Sequence, residues 1–291
     1  MKLSKGQIIL LIITGVIVIG NFIYFQISKI DEPIFIKRYS ELFYDTNINL
    51  EFIRNNTSTK ETEEDFFEIN STRNIMNIEF PEINKSYDMV SYSYNEVKNK
   101  YEYLTYRLGV NRDGEEAELY DYINKNGPVK LTRAILNTYD GKTYDIDLGE
   151  IILNPFKTNA NILVQERGGY SESYNENSMI WAANKDIHIN KIESRYLEDL
   201  KKYYDFSLLI GDEKIAIDKI EYPFSIKENI TFRFSFAKKK GIDINVKNIY
   251  DTEIKIEIED NDKNKQNLYV RIRSINPYDM LNERNILKLK Y

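Results

Sequence analysis

Hydrophobic and polar residues follow two different patterns along this chain. Residues 8–25 read IILLIITGVIVIGNFIYF, and no charged residue occurs between Lys5 and Lys29. A helix of this length spans about 27 Å, close to the thickness of the hydrocarbon core of a bilayer. A buried helix of a soluble protein would carry a polar face, which this segment lacks. The pattern therefore predicts a helix that crosses a membrane, with the lipid bilayer contacted through residues 8–25.

A cleaved signal peptide is the alternative interpretation of this segment. Val18-Ile19-Gly20 offers residues small enough for cleavage before Asn21, but the apolar run continues to Phe25 without an Ala-x-Ala site. We therefore favour an uncleaved signal anchor. Positive charges on the two flanks nearly balance. The short N-terminal tail and the absence of Cys favour a single-pass protein of the cell membrane with its N-terminus inside and residues 31–291 outside.

After residue 30, much of the chain alternates polar and apolar side chains. This period of two is typical of strands that bury one face. The predicted strands include residues 77–80, 101–108, 231–236, 242–247, 253–258 and 268–273. Trp181 is expected to pack in the core formed by the later strands.

Turn and helix signals complete the predicted elements. Asp140-Gly141 lies between two extended runs in residues 134–148 and predicts a hairpin with a type I′ turn. Gly211-Asp212 predicts a second hairpin within residues 206–217. Apolar residues at helical spacing predict short helices at 194–204 and 115–123.

Many short strands with polar turns predict a mainly β fold, with an N-terminal transmembrane helix followed by two antiparallel β-sandwich-like (Ig-like) domains. Residues 31–160 are acidic, whereas residues 161–291 carry equal numbers of acids and bases. Pro and Asn near the charge step suit a linker. We expect a cytoplasmic tail and anchor at 1–30, a membrane-proximal acidic domain at 32–156 and a C-terminal domain at 162–291. The polar stretch 171–178 predicts a second flexible segment.

Composition excludes several kinds of chemistry. The chain of 291 residues has no Cys and one His, which excludes disulfides, thiolate nucleophiles, Cys-held metals and multi-His sites. A pI of about 5.2 argues against nucleic acid as a ligand. The abundance of Asn and Tyr and the scarcity of Ala favour a low-GC bacterial source. We expect no cofactor.

Two short patterns invite a catalytic interpretation. Ser235 and Lys238 have the S-x-x-K spacing of serine–lysine acylases, which place Ser at the start of a helix. Here the pair lies in an alternating run, so a strand would point the side chains apart. The lone His188 falls between apolar neighbours of another alternating run, so we expect it on the exposed face of a strand. Neither pattern predicts a catalytic residue.

A third pattern resembles the start of a calcium-binding loop. Asp260, Asp262 and Asn264 match its first three ligand positions. However, Lys265 stands where the loop needs Gly, and Arg271 stands where it needs a bidentate Glu. An EF-hand is excluded, and a solvated turn is favoured over a weak calcium site.

A cluster of tyrosines is the candidate contact region. It comprises Tyr87, Tyr92, Tyr94, Tyr101, Tyr103 and Tyr106. Exposed aromatic rings can stack on sugars or pack against a partner protein. Tyrosine is also a good strand former, which explains the cluster without a ligand.

Three functional hypotheses remain open. The leading one is a non-enzymatic, membrane-anchored binding protein of a bacterial envelope, whose partner is an unknown envelope protein or glycan. The second is a carbohydrate- or cell-wall-binding module that uses the Tyr-rich region. The third is an envelope enzyme with paired carboxylates, which an acidic chain supplies but which sequence cannot pair in space.

Overall fold

The computed structural model describes residues 4–43, 48–55, 75–88, 92–98, 101–108, 117–139, 141–155, 162–173, 176–242, 247, 249–274 and 280–290. The helices in these ranges are α1 (Lys5–Ser28), α2 (Ala117–Asn126), α3 (Leu197–Leu200) and α4 (Glu283–Lys290), with a 3-10 turn at Ile217–Lys219. The strands are β1 (Ile34–Phe35), β2 (Arg38–Leu42), β3 (Ile48–Asn55), β4 (Ile75–Phe80), β5 (Lys85–Asp88), β6 (Tyr92–Lys98), β7 (Tyr101–Leu108), β8 (Val129–Thr138), β9 (Thr143–Leu153), β10 (Val164–Ser173), β11 (Glu176–Ala183), β12 (Ile187–Glu193), β13 (Tyr204–Ile210), β14 (Glu213–Ala216), β15 (Phe224–Ile226), β16 (Thr231–Lys238), β17 (Ile249–Asp260) and β18 (Lys265–Arg273). The prediction of a mainly β chain with an N-terminal apolar helix is confirmed.

Helix α1 is long and apolar enough to cross a membrane. Its 24 residues correspond to about 36 Å of helix. Ser4 closes the N-terminus in a capping box, in which its hydroxyl accepts from the amide of Gln7 and its own amide donates to the Gln7 side chain. None of the most apolar window of α1 is buried against the rest of the chain. The helix therefore contributes no apolar surface to the β core.

The described strands form three sheets. The first has the order β1-β3-β7-β6, and the second has the order β10-β11-β16-β13-β14. The third runs β15-β12-β17-β2-β9-β8-β4-β5, and β18 pairs with β17 beside it. Most pairs are antiparallel, as predicted, but β2 is parallel to both β9 and β17. The third sheet therefore continues from the N-terminal half (residues 30–155) into the C-terminal half (residues 162–290).

Each half has an apolar cluster of its own. The cluster of the N-terminal half draws on β3, β4, β8, β9 and α2, with residues between Leu42 and Leu153. The cluster of the C-terminal half draws on both of its sheets, with residues between Leu163 and Ile272. Trp181 belongs to the second cluster and stacks on Phe232 at 5.6 Å between ring centroids, which confirms its predicted place.

The period of two explains why the two faces of β17 contact different parts of the protein. Its even-numbered positions, including Ile254, Ile256 and Ile258, face the apolar cluster of the C-terminal half. Its odd-numbered positions begin with Ile249 and Asp251, which face the other side and are also buried. Strand β17 is thus buried on both faces at its start.

Two predicted hairpins are present, one with a different turn. Gly211 and Asp212 join β13 to β14 as expected. In the β8–β9 hairpin, the amide of Thr138 donates to Lys142 O at 3.0 Å and the amide of Gly141 donates to Thr138 O at 2.9 Å. This pattern closes a three-residue loop rather than a two-residue type I′ turn. Gly141 has a φ of +80°, so the expected need for glycine is met there.

Most of the predicted flexible segment at 171–178 is strand in the structure. Ser171 pairs with Asn177 and Ser173 pairs with Glu176, so this stretch belongs to a long β10–β11 hairpin. Backbone hydrogen bonds across the hairpin order a sequence that is too polar to show alternation. The helix predicted at 194–204 is reduced to α3 flanked by turns, and the one at 115–123 corresponds to α2. Most of the predicted linker at 154–161 and most of the predicted strand at 242–247 lie outside the described residues.

Candidate functional site at the end of the apolar helix

The C-terminal end of α1 is fixed by side chains from distant parts of the chain. The last carbonyls of a helix lack partners within the helix. Here the hydroxyl of Tyr101 on β7 donates to Ser28 O at 2.8 Å. The ammonium of Lys290 on α4 donates to Ile27 O at 3.0 Å and to Lys29 O at 2.6 Å. A cation at this end also interacts favourably with the helix dipole.

The residues that follow α1 join the β structure at once. Ile30 is buried, and its amide donates to the Asn55 side chain at 3.1 Å. The Asn55 amide group donates in return to Ile30 O. The Asn55 side chain therefore binds the backbone of Ile30 much as a neighbouring strand would. Helix α1 enters the β structure without an intervening spacer.

An apolar cluster surrounds this entry point. Its buried members come from the segment after α1, from β3 and β7, from β17, and from α4 with the residues just before it. They are Ile30, Ile36, Ile53, Tyr101, Tyr103, Ile249, Met280, Leu281 and Ile286. We call this cluster, together with the bonds at the end of α1, the exit junction. It brings both halves and the C-terminal helix into contact with the end of α1.

A buried ionic cluster lies beside the exit junction. Arg38 on β2 contacts both Glu51 on β3 and Asp251 on β17. The Glu51 side chain is 0% exposed and that of Asp251 is 3% exposed. Arg273 lies 2.8 Å from Glu51, and Arg271 lies 2.8 Å from Asp251. Three arginines therefore share two carboxylates from opposite halves of the chain, and we call these five residues the ionic cluster.

The electrostatics of the ionic cluster favour fixed charges. Burial opposes ionisation of Glu51, but the nearby charges of Arg38 and Arg273 outweigh it and lower its pKa. Burial also opposes ionisation of Asp251, but the charges of Arg38 and Arg271 outweigh it, so the pKa of Asp251 is lowered. Burial and the charge of Glu51 raise the pKa of Tyr103, whose hydroxyl accepts from Arg273 at 2.8 Å. At neutral pH Glu51 and Asp251 are therefore ionised and Tyr103 is neutral, and none of them exchanges protons, which suits a structural role.

Side chains of β17 extend its contact with β2. Backbone pairing covers Ile249–Arg38 and Tyr250–Tyr39. Beyond these pairs, the Thr252 hydroxyl accepts from the amide of Glu41 at 3.1 Å and lies 3.2 Å from Glu41 O. Side chains therefore continue the contact between the halves where strand pairing stops.

A second polar contact between the halves centres on Glu150 of β9. Its carboxylate accepts from Arg195 Nε at 2.8 Å and from the Tyr196 hydroxyl at 2.7 Å, and it contacts Lys130. The hydrogen bonds from Lys130 and Tyr196 lower the pKa of Glu150 to about 2. The ring of Tyr39 packs against those of Tyr196 and Tyr250 beside this contact. The two halves are thus joined at several points along β2 and β9.

The structure corrects the expected exposure of the tyrosine cluster. Tyr101 and Tyr103 are 0% exposed, and Tyr87 is buried against Phe80. Tyr101 and Tyr103 face the exit junction because alternate positions of β7 point toward it. The side chains of Tyr92, Tyr94 and Tyr106 lie outside the described part of the structure. A contact role is therefore removed for three of the six residues and stays a prediction for the others.

His188, Ser235 and the calcium-like loop at Asp260 lie at three separate places in the structure. His188 is half-buried rather than exposed, and its two ring nitrogens lie 3.0 Å from Ser225 Oγ and from Asn261 Oδ1. Ser235 lies in strand β16, as expected, and its side chain is buried. The Asp260 carboxylate accepts from the amides of Asp262 and Asn264, both at 2.9 Å. It therefore stabilises the β17–β18 turn.

A shallow groove of about 580 Å³ runs beside strand β14. Lys201 lies 2.5 Å from Asp218 at its edge, and Lys239 lies 3.6 Å from Asp205. Of the three carboxylates that line the groove, those of Asp218 and Asp205 are thus paired with lysines.

Sequence reasoning missed the ionic cluster and the role of Lys290. A signal for the cluster exists in residues 249–254, where acids alternate with uncharged residues in a run of strand character. Alternation normally places such acids in solvent, so the pattern alone does not indicate a buried cluster. For α4, Asn282 before Ile286 and Leu289 is a usable signal, because Asn caps helices and the two apolar residues share one face.

Comparisons with known proteins add little. No family model matches the chain, and no curated protein matches it. A structure of a protein of unknown function from Porphyromonas gingivalis has 9% identity, covers 84% of this chain and 96% of that chain, and gives a TM-score of 0.21. Fibronectin(III)-like modules of Clostridium thermocellum CbhA have 13% identity, cover 84% of this chain and 92% of that chain, and give a TM-score of 0.18. Scores this low support no argument about fold or function, so the chain is assigned to no family.

Proposed function

We propose that this protein is a single-pass membrane protein of a bacterial envelope that binds an envelope protein or glycan without catalysing a reaction. In this proposal, α1 crosses the cell membrane with the N-terminus inside. Residues 32–156 and 162–291 form two β-sandwich modules outside. The exit junction holds both modules in a fixed orientation at the membrane surface.

The exit junction is the observation that supports this proposal most. A protein that merely tethers a domain needs a flexible segment between anchor and domain. Here Ser28 and Ile30 are already buried, and Tyr101 and Lys290 bind the last carbonyls of α1. Ordering these side chains costs conformational entropy, which their hydrogen bonds and the burial of the exit junction offset. A fixed orientation suits a protein that presents a surface to a partner near the membrane.

Separate apolar clusters in the two halves support the division into modules. Each cluster contains residues from two sheets, the arrangement that a β-sandwich requires. The contacts through Arg38 and Glu150 join the modules, so we expect them to act as one body.

The alternatives have less support. A carbohydrate-binding role would now rest on Tyr92, Tyr94 and Tyr106, because the other three tyrosines are buried. An enzyme with paired carboxylates needs one carboxyl group that holds a proton near neutral pH. Glu51 and Asp251 share Arg38, but both have a lowered pKa and do not meet this requirement.

The anchor and its orientation can be tested in cells. Membranes washed with alkaline carbonate should retain the protein with Met1 or Lys2 at its N-terminus. Protease added from outside should remove a C-terminal tag and spare an N-terminal tag. The double variant Leu11→Lys and Ile17→Lys should be released, because each charge costs about 2.5–3.5 kcal/mol at the centre of a membrane helix. A mature wild-type chain that begins at Asn21 would show a secreted protein and contradict the proposal.

A further inference from the structure

With α1 as the membrane anchor, the C-terminal end of α1 marks the position of the membrane surface relative to the β structure. The apolar run 8–25 spans about 27 Å, so the hydrocarbon layer ends within about one helical turn of Ile27. The Lys290 ammonium lies 3.0 Å from Ile27 O and 2.6 Å from Lys29 O. The C-terminal end of α4 is therefore placed at the level of the lipid headgroups.

Helix α4 has a buried face and an exposed face. Ile286 is buried in the exit junction, and Leu289 packs against the same cluster. Arg284 and Lys288, which are four residues apart and so share another face, are exposed, and Leu287 between them is half-buried. A partly exposed apolar residue flanked by cations is typical of helices that lie at a membrane interface.

The length of α4 keeps its exposed face near the bilayer. Eight residues span about 12 Å, and Lys288 lies two residues from Lys290. The headgroup layer of one leaflet is about 5–7 Å thick. The long side chain of Lys288 can therefore reach the headgroups when the exposed face of α4 is turned toward the bilayer.

We propose that the exposed face of α4 binds anionic phospholipid headgroups through Lys288 and Arg284, with Leu287 entering the interface. The proposal rests on the proposed function, because it needs α1 in a membrane. Clustered cations next to a membrane helix are attracted by anionic lipids. The nearby acids Asp31 and Glu32 oppose this attraction, but Asp31 is paired with Lys29 at 2.8 Å. The result is a second membrane contact besides the anchor.

The test uses the full chain in nanodiscs that contain a headgroup-spin-labelled phosphatidylcholine. The chain has no Cys, so a fluorophore can be placed by Leu287→Cys or, as a reference, by Asp262→Cys. Asp262 follows β17, whose twelve residues extend about 36 Å from Ile249 in the exit junction. We expect clearly stronger quenching at position 287 than at position 262. Equal quenching at the two positions would overturn the proposal.

A second measurement tests the headgroup charge. Replacing part of the phosphatidylcholine by phosphatidylglycerol should increase quenching at position 287. Adding Arg284→Gln and Lys288→Gln should abolish this increase. Lys263→Gln with Lys265→Gln, the same change of charge in the β17–β18 turn, should preserve it. Quenching that does not respond to phosphatidylglycerol in the chain labelled at position 287 without further changes would overturn the proposal, whereas release of the wild type by carbonate would instead refute the anchor.

Discussion

Replacing Arg38 by Met is expected to lower the free energy of unfolding by about 3–5 kcal/mol. Removing one partner of a buried ion pair leaves the other charge uncompensated, and Arg38 is the shared partner of Glu51 and Asp251. Arg271 and Arg273 remain in the variant, but their side chains are partly exposed, and each contacts only one of the two carboxylates. Urea unfolding of the full chain in detergent measures the change. The single Trp181, buried in the C-terminal half, reports the transition by fluorescence.

Arg133→Met is the matched control for this measurement. Arg133 also forms a two-pronged pair, with Nε and an Nη of Arg133 each 2.6 Å from an oxygen of Asp145. Both side chains are more than half exposed, and solvent screens such a pair, so we expect little change. Equal urea midpoints for Arg38→Met and Arg133→Met would show that the ionic cluster is not buried as described.

Replacing Gly149 by Ala is expected to lower the free energy of unfolding by about 2–5 kcal/mol. Gly149 on β9 stands opposite Arg38 on the parallel strand β2 and has a φ of +82°. A Cβ at this position would overlap the carbonyl oxygen of Arg38 and approach its amide nitrogen to 3.0 Å. A side chain at this φ costs about 1–2 kcal/mol, and moving packed backbone typically costs a further 1–3 kcal/mol. The same urea titration measures the loss.

Gly141→Ala separates these two contributions. Gly141 has almost the same φ, +80°, but nothing lies within 4 Å of the added Cβ. Its substitution should therefore cost about 1–2 kcal/mol, from the backbone conformation alone. If Gly149→Ala were no more destabilising than Gly141→Ala, the close approach of β2 and β9 would be wrong.

The sequence allowed the local elements to be predicted, because each has a short-range physical signal. A charge-free run of membrane length predicts α1, alternation predicts strands such as β16 and β18, and Gly211 predicts the turn after β13. The β10–β11 hairpin, which includes residues 171–173 and 176–178, has no such signal. That hairpin is held by backbone hydrogen bonds, which leave no mark in the pattern of side chains.

The candidate site depends on long-range pairing, which no local pattern reveals. Arg38, Glu51 and Asp251 are far apart in sequence and meet because β2, β3 and β17 come together. A single strand shows which residues share a face but not whether a second layer covers that face. The same reasoning applies to Tyr101 and Tyr103, which were expected as a contact surface and instead lie inside the exit junction.

The central claim of this account is that α1 and the β structure form one body. Pulsed electron spin resonance on the full chain in nanodiscs can test it directly, with spin labels introduced by Asn21→Cys on α1 and Asp262→Cys after β17. A reference pair at Glu213→Cys and Asp262→Cys lies within the C-terminal half. We expect the pair that spans the exit junction to give a single distance distribution as narrow as the reference. The added changes Tyr101→Phe and Lys290→Gln, which remove bonds to the end of α1, should broaden it. A broad or multiple distribution in the wild type, beside a narrow reference, would show a flexible tether and contradict the account.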